Sequence, residues 1–272
     1  MRVLKFGGSS VANAQNIKLV LDIVVNKAKE EKLIVVVSAF SKITDLLQLA
    51  SQKAAAGDES FKEILADLET KHLDALKELI PVSEQSSLLS HIKRIINHLE
   101  TLLDGCYLLG ELSPRTSDTI LSFGELLSSY IIAEALKQKL KNSSYKDSRE
   151  LIKTNNSFGK AVVNFDVSNK LIVDFFASNE NQVVVMPGFI AASLDGINTT
   201  LGRGGSDYTA AILAGALHAN ELEIWTDVNG MFTANPKIVK QAQPIVFISY
   251  QEAMELSHFG AKVLYPPTIQ PV

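Results

Sequence analysis

Arg2-Val3-Leu4-Lys5-Phe6-Gly7-Gly8-Ser9-Ser10 decides the fold: a short β-type run that breaks on two glycines and two serines. Apolar residues then recur at Ile17, Val20, Leu21, Val24 and Ala28, the three- and four-residue spacing of an amphipathic helix. Leu33-Ile34-Val35-Val36-Val37 follows, continuously apolar and β-branched, as a strand covered on both faces must be. Ser38-Ala39-Phe40-Ser41 leads into a second helix marked by Ile43, Leu46, Leu47 and Ala50. Strand, turn, helix, strand is a βαβ unit. Such units build a mostly parallel sheet with right-handed crossovers, and ligands gather outside the carboxyl ends of its strands.

Outward from that start, Asp58 to about Gly105 is helical in pattern, with a stop at Pro81 that predicts two helices folded on each other. Ser113-Pro114 opens another helical stretch, in which Gly124 costs ~1 kcal/mol relative to alanine and so marks a close backbone approach or a helix start. Beside it stands Glu125, which on residue type alone is a solvated helix carboxylate. Lys141 to Asn156 is polar and predicts no clear element. Ala161–Phe165 and Gln182–Met186 read as strands around a helix near Asn169–Ser178, the second ending in Pro187-Gly188-Phe189-Ile190. Leu222–Thr226 reads as a strand closed by Asp227-Val228-Asn229-Gly230, Val246-Phe247-Ile248 as a short strand, and Tyr250 to His258 as a helix. No internal repeat, low-complexity tract or interdomain linker interrupts the chain.

The stretch Thr199-Thr200-Leu201-Gly202-Arg203-Gly204-Gly205-Ser206-Asp207-Tyr208 carries the chemistry. Its three glycines can bring bare backbone N–H groups against an anion just before a small-residue helix, Thr209 to Ala219. Arg203 supplies a fork for a carboxylate or phosphate, and Asp207 a carboxylate able to organise a lysine or a metal ion. Taken alone, the loop is equally a tight strand-to-helix connection.

Composition narrows the field. The 272 residues are 46% apolar and 21% charged, with a net charge of −4 spread without long runs, so there is no electrostatic case for nucleic acid or a membrane surface. The opening residues lack the apolar core of a secretory signal, which predicts a cytoplasmic location. Cys106 is alone, so an internal disulfide is impossible and a thiolate metal site is excluded; it is expected as a small buried apolar residue. His72, His91, His98, His218 and His258 show no metal-ligand spacing and are expected to be structural or solvated, so no metal site is assigned to protein side chains.

Six separated motifs together resemble one family, the kinase domain of aspartokinases within the amino acid kinase superfamily. They are Lys5-Phe6-Gly7-Gly8-Ser9-Ser10-Val11, Phe123-Gly124-Glu125, Pro187-Gly188-Phe189-Ile190, Thr199 to Asp207, Trp225-Thr226-Asp227-Val228 and Phe259-Gly260-Ala261-Lys262. The match covers nearly the whole chain. The opening residues, with Tyr250-Gln251-Glu252-Ala253-Met254-Glu255-Leu256-Ser257, look most like the bifunctional aspartokinase/homoserine dehydrogenases. The resemblance implies an α/β fold, a three-layer αβα sandwich around a mainly parallel sheet. It also implies transfer of the γ-phosphoryl group of ATP, with Mg²⁺, to L-aspartate. Carried over by motif, Lys5 would contact the transferring phosphoryl group and Asp207 would hold Lys5 or the metal environment. Arg203 would take a substrate carboxylate, with Ser206 and Thr44 bonding the same amino acid, Glu125 pairing with its ammonium, and Phe189 offering its backbone. Gly7, Gly8, Ser9, Thr226, Asp227, Phe232, Lys237 and Lys262 would serve the nucleotide. Without the resemblance, Lys5 is equally a strand-end lysine that snorkels, Thr44 a helix cap and Asp227 a turn residue.

Three positions depart from the family pattern. Ser9 stands where threonine is usual, Phe232 where tyrosine is frequent, and Asn235-Pro236-Lys237 replaces Asp-Pro-Arg, which keeps a positive charge but loses bidentate geometry. Residues 1–272 would form the catalytic domain, the earlier part on the amino-acid side and roughly 200–272 on the nucleotide side. Family members continue into regulatory ACT domains and, in bifunctional forms, a dehydrogenase; neither lies in these residues, and the full-length protein is expected to be a homo-oligomer. Two other readings stay open: a catalytically idle nucleotide-binding module, and a sister kinase with a different acceptor.

Overall fold

A computed structural model describes residues 1–228, 230–235, 238–258, 268–269 and 271–272. The elements run β1 (Arg2–Phe6), α1 (Ala14–Lys27), β2 (Leu33–Val37), α2 (Ile43–Ala55), α3 (Phe61–Leu79), α4 (Val82–Leu109), α5 (Pro114–Lys139), β3 (Ser143–Tyr145), α6 (Ser148–Leu151), β4 (Lys153–Thr154), α7 (Phe165–Ser178), β5 (Val183–Pro187), β6 (Ile190–Ser193), β7 (Asn198–Thr200), α8 (Gly205–Ala216), β8 (Glu221–Trp225) and α9 (Tyr250–His258). Five strands form one sheet in the order β3-β5-β2-β1-β8, every neighbouring pair parallel. A small sheet, β4-β6-β7, flanks it.

Side-chain alternation along the central strands makes the sandwich. Leu4, Phe6, Leu33, Val35, Val37, Val183 and Val185 face a cluster completed by α1 to α5. Val3, Ile34, Val36, Val184 and Met186 face the opposite way, onto α7 and α8. The expected αβα layers are therefore present, and β2 and β5 are apolar throughout because both faces are covered. The same alternation decides where Lys5 goes. It sits between Leu4 and Phe6 in sequence, so its side chain shares the Val3 face and reaches α8. At the other end of the sheet Arg2 ties β1 to Glu31, Glu221 and Glu223, a structural brace away from the glycine loops.

Helix α5 is long and apolar enough to cross a membrane by composition alone, but most of it is buried as the central helix of one layer. Its chain enters through a Ser113 cap whose hydroxyl accepts from the Thr116 N–H, with Pro114 at the first turn. Gly124 is a close approach and not a helix start: a Cβ there would lie 2.9 Å from the Ala39 Cβ and 3.4 Å from both Ile43 and Leu47.

Two expected strands are absent. Residues 161–165 contribute a single bridge between Val163 and Thr154, because Asn164 caps α7 by accepting from the Val167 N–H and the helix begins at Phe165. Val246-Phe247-Ile248 forms no strand; Val246 is 99% and Phe247 90% exposed, with no facing layer among the described residues to reward pairing. The polar stretch 141–156 supplies β3, α6 and β4, and the hairpin β6–β7 lies between the two motifs that flank it. Cys106 is buried as expected, and His72, expected to be structural or solvated, is buried and stacked on Phe40 with ring centroids 4.8 Å apart.

Candidate active site

The carboxyl ends of β1, β2 and β5 open onto a cleft of about 380 Å³, lined by Lys5, Gly8, Ser9, Ser38–Asp45 in part, Glu125, Phe189 and Gly202–Asp207. Lys5, Thr44, Glu125, Phe189, Arg203, Ser206 and Asp207, drawn from five separate segments, share this one space. Lys5 and Arg203, almost two hundred residues apart, thus bring their charges to the same cleft.

On the β1 side, Lys5 Nζ lies 2.6 Å from Asp207 Oδ1, both side chains largely covered. The pair places a fixed ammonium at the head of α8, where backbone N–H groups also point outward. Gly7 makes room for it, since a Cβ there would sit 3.3 Å from Lys5 Nζ. The Gly7 N–H itself donates to the Trp225 carbonyl at 3.3 Å and so braces β1 to β8; it is not directed at an anion. Gly8 lies on the cleft, with the Ala39 carbonyl 3.2 Å from where its Cβ would be.

On the α8 side, Gly202 and Gly204 adopt positive φ of 74° and 71°, and a Cβ on Gly205 would meet Phe189 at 2.8 Å. Phe189 itself has φ 65°, a conformation unfavourable for a side-chain residue. It is held there because its N–H donates to Thr209 Oγ1 and its carbonyl accepts from the Leu201 N–H. Of the backbone groups expected to face substrate, the N–H is therefore committed, and the carbonyl's second lone pair remains on offer. Gly188 allows the two loops to touch, since a Cβ on it would lie 2.6 Å from the Ser206 Cβ.

Glu125 closes the cleft from α5. It is buried, its Oε1 accepts from the Ala39 N–H at 3.1 Å, and its Oε2 has no hydrogen-bond partner. Burial pushes its pKa up to about 8, and the Ala39 N–H opposes that shift only in part. A buried carboxyl oxygen without a partner, on the wall of a cleft, can accept from a hydrogen-bond donor that enters the cleft and, once ionised, can pair with a cation.

Thr226 and Asp227 emerge beside Gly7 because β8 runs parallel to β1 in register Phe6↔Trp225. They line a neighbouring hollow of about 270 Å³ with Ser9, Ser10 and Trp225, the Thr226 hydroxyl donating to Asp227 at 3.0 Å. Ser9 borders both spaces. Phe232 lies apart from these linings and bridges Pro244 through its backbone. Lys237 and Lys262 lie outside the described residues, so their expected nucleotide contacts rest on sequence alone. Asp118 was not singled out by motif. It is a buried carboxylate on α5 that accepts from Gly159 and Thr200, and no local pattern marked it, since Arg115, Ser122 and Glu125 share its helical face.

Among the described residues, no three His, Cys, Asp or Glu side chains converge as metal ligands. That donor set fits a Mg²⁺ ion carried mainly by substrate phosphates and water, with one or two carboxylates at most, better than a resident cation.

Comparison with known proteins gives one consistent picture. The family model described as the amino acid kinase family matches residues 1–272. The chain is 37% identical over 271 residues to bifunctional aspartokinase/homoserine dehydrogenase 2, chloroplastic, of Arabidopsis thaliana, covering 99% of this chain and 30% of that protein. It is 35% identical to lysine-sensitive aspartokinase 3 of Escherichia coli, covering 58% of that protein. The crystal structure of E. coli aspartokinase III in complex with aspartate and ADP superposes with a TM-score of 0.89 over 100% of this chain and 59% of that one. The chain thus spans under two thirds of the length of each of these relatives. A uridylate kinase from Archaeoglobus fulgidus, at 18% identity and a TM-score of 0.52, shares the fold alone.

Proposed function

Because the chain belongs to the amino acid kinase family, we propose that it is an aspartate kinase, transferring the γ-phosphoryl group of MgATP to the β-carboxylate of L-aspartate to give 4-phospho-L-aspartate. The relatives at 35–37% identity named above are aspartokinases, and the superposed E. coli enzyme holds aspartate and ADP. On this reading residues 1–272 are the catalytic domain, with the glycine loop 202–207 serving both substrates.

The observation that carries the proposal is the unpartnered Oε2 of buried Glu125 on the wall of a cleft that also holds Arg203 and Lys5. An α-amino acid has a cation and an anion to match the first two, and aspartate adds a second carboxylate that can reach the third. A nucleoside monophosphate acceptor offers no ammonium for Glu125. The β-carboxylate, with a reference pKa of ~4, is already ionised at neutral pH, so no general base is required. One of its oxygens attacks the γ-phosphorus; the new O–P bond forms as the bond from that phosphorus to the β,γ-bridging oxygen breaks, and the electron pair leaves on ADP. No proton moves. The obstacle is repulsion between two anions, so catalysis rests on in-line positioning and on fixed positive charge. Lys5, held by Asp207, supplies that charge at the cleft. Mg²⁺ bound with the nucleotide would neutralise phosphate charge in the same place, with Asp207, which lines the cleft, as a carboxylate that would contribute.

The test is ADP release by the purified protein with a panel of acceptors. Turnover should require both L-aspartate and Mg²⁺, with Arg203→Ala chiefly raising the aspartate KM, by ~10–100-fold, and Lys5→Ala chiefly lowering kcat, by ~100-fold or more. ADP formation that ignores aspartate but responds to another acceptor would replace this reading with a sister kinase.

A further inference from the structure

Asp118 sits 1% exposed on α5, seven residues and two helical turns before Glu125. Its Oδ1 accepts from the Thr200 hydroxyl at 2.9 Å and the Gly159 N–H at 2.9 Å; its Oδ2 accepts from the Thr200 N–H at 2.8 Å and shares the Gly159 N–H at 3.0 Å. Every bond goes to segments that set the glycine loop. Thr200 ends β7 immediately before Leu201-Gly202-Arg203, and its carbonyl accepts from the Ala161 N–H, tying the two segments together. Gly202 packs so closely on the second segment that a Cβ would lie 3.1 Å from the Gly159 carbonyl.

A buried carboxylate costs several kcal/mol of desolvation, which an ordinary loop anchor would not require. What the arrangement secures is a fixed spacing: one rigid helix carries both the Glu125 receptor and the anchor of the Arg203 loop. We infer that Asp118 is a positioning residue, setting the distance between the ammonium and carboxylate sites of the acceptor pocket without touching the acceptor itself. The inference rests on the reading of this cleft as an amino-acid site.

Asp118→Asn tests it, because an amide cannot accept at both oxygens and turns an NH₂ group onto an N–H donor whichever way it flips. The aspartate KM should rise by at least ~10-fold while the ATP KM stays within about twofold, and the Gly159 and Thr200 amides should exchange with solvent at least ~10-fold faster while those of Leu33–Val37 do not. Thr200→Val, which keeps the backbone and loses only the hydroxyl, should raise the aspartate KM by ~3–10-fold, and Thr200→Ser should restore it; this pair decides the matter if Asp118→Asn does not fold. An unchanged aspartate KM in folded Asp118→Asn or in Thr200→Val would overturn the inference, as would unchanged exchange at both amides. If the wild-type protein ignored aspartate, the acceptor reading would fall while the exchange data still decided whether Asp118 holds the loop.

Discussion

Glu125 is a carboxyl that the ligand-free fold keeps largely protonated at neutral pH, since burial pushes its pKa up to about 8. An ammonium can pair only with the ionised form. Acceptor binding should therefore expel a proton from Glu125, and affinity should rise by about tenfold per pH unit up to about 8 before levelling. Calorimetry at pH 6, 7 and 8 in buffers of different ionisation enthalpy checks both; Glu125→Gln should bind weakly and without that dependence. The same shift has a stability consequence. Between the ordinary glutamate range and about pH 8 the folded, ligand-free protein binds more protons here than the unfolded chain does, so this residue's contribution to stability falls as pH rises through that window. Urea unfolding at pH 5.5 and 8.5 should show a smaller loss in Glu125→Gln than in wild type. Equal losses would mean that the carboxyl is ionised throughout.

At the scale of elements, two contacts shape the pocket. Helix α5 lies against the start of α2 only because Gly124 has no side chain, and that contact brings the Ala39 N–H to Glu125. Gly124→Ala should destabilise the fold by ~1–3 kcal/mol through overpacking, outweighing the ~1 kcal/mol that alanine gains in a helix interior. Chemical denaturation measures this directly, and a more stable variant would refute the close approach. The hairpin β6–β7 escaped sequence reading because its strands are four and three residues long and its entry depends on Phe189 at positive φ, for which the sequence carries no glycine. The start of α7 was misplaced for a related reason: Ala161 to Phe165 has strand-like residues, yet the Asn164 cap starts a helix within it. By contrast, the bends at the two glycine loops were legible from their glycines, and the place of Glu125 in the cleft through the resemblance, since residue type alone makes it a solvated helix carboxylate.

For the molecule as a whole, the core lies in the two layers that sandwich the parallel sheet, and the described residues beyond β8 contribute less to it. Leu4, fully buried on central strand β1, and Phe247, 90% exposed, make the contrast testable. Leu4→Ala should cost ~2–5 kcal/mol, whereas Phe247→Ser should fall within ~0.5 kcal/mol of wild type. The continuous apolar run of 33–37, the strand-like run of 182–186 and the helical spacing of 17–28 made that core readable, and alternation along β1 sends Lys5 to the face where Asp207 waits. The meeting of Lys5 with Arg203 was legible only through motif resemblance, since no local pattern links positions so far apart. The central claim concerns what that meeting is for. Incubation with MgATP, L-aspartate and hydroxylamine, which traps an acyl phosphate as its hydroxamate, tests it most directly. Aspartyl hydroxamate should accumulate with L-aspartate and fail to form with succinate, which lacks the ammonium that Glu125 would receive; equal yields from the two acids, or none from aspartate by protein that binds MgATP, would contradict the account.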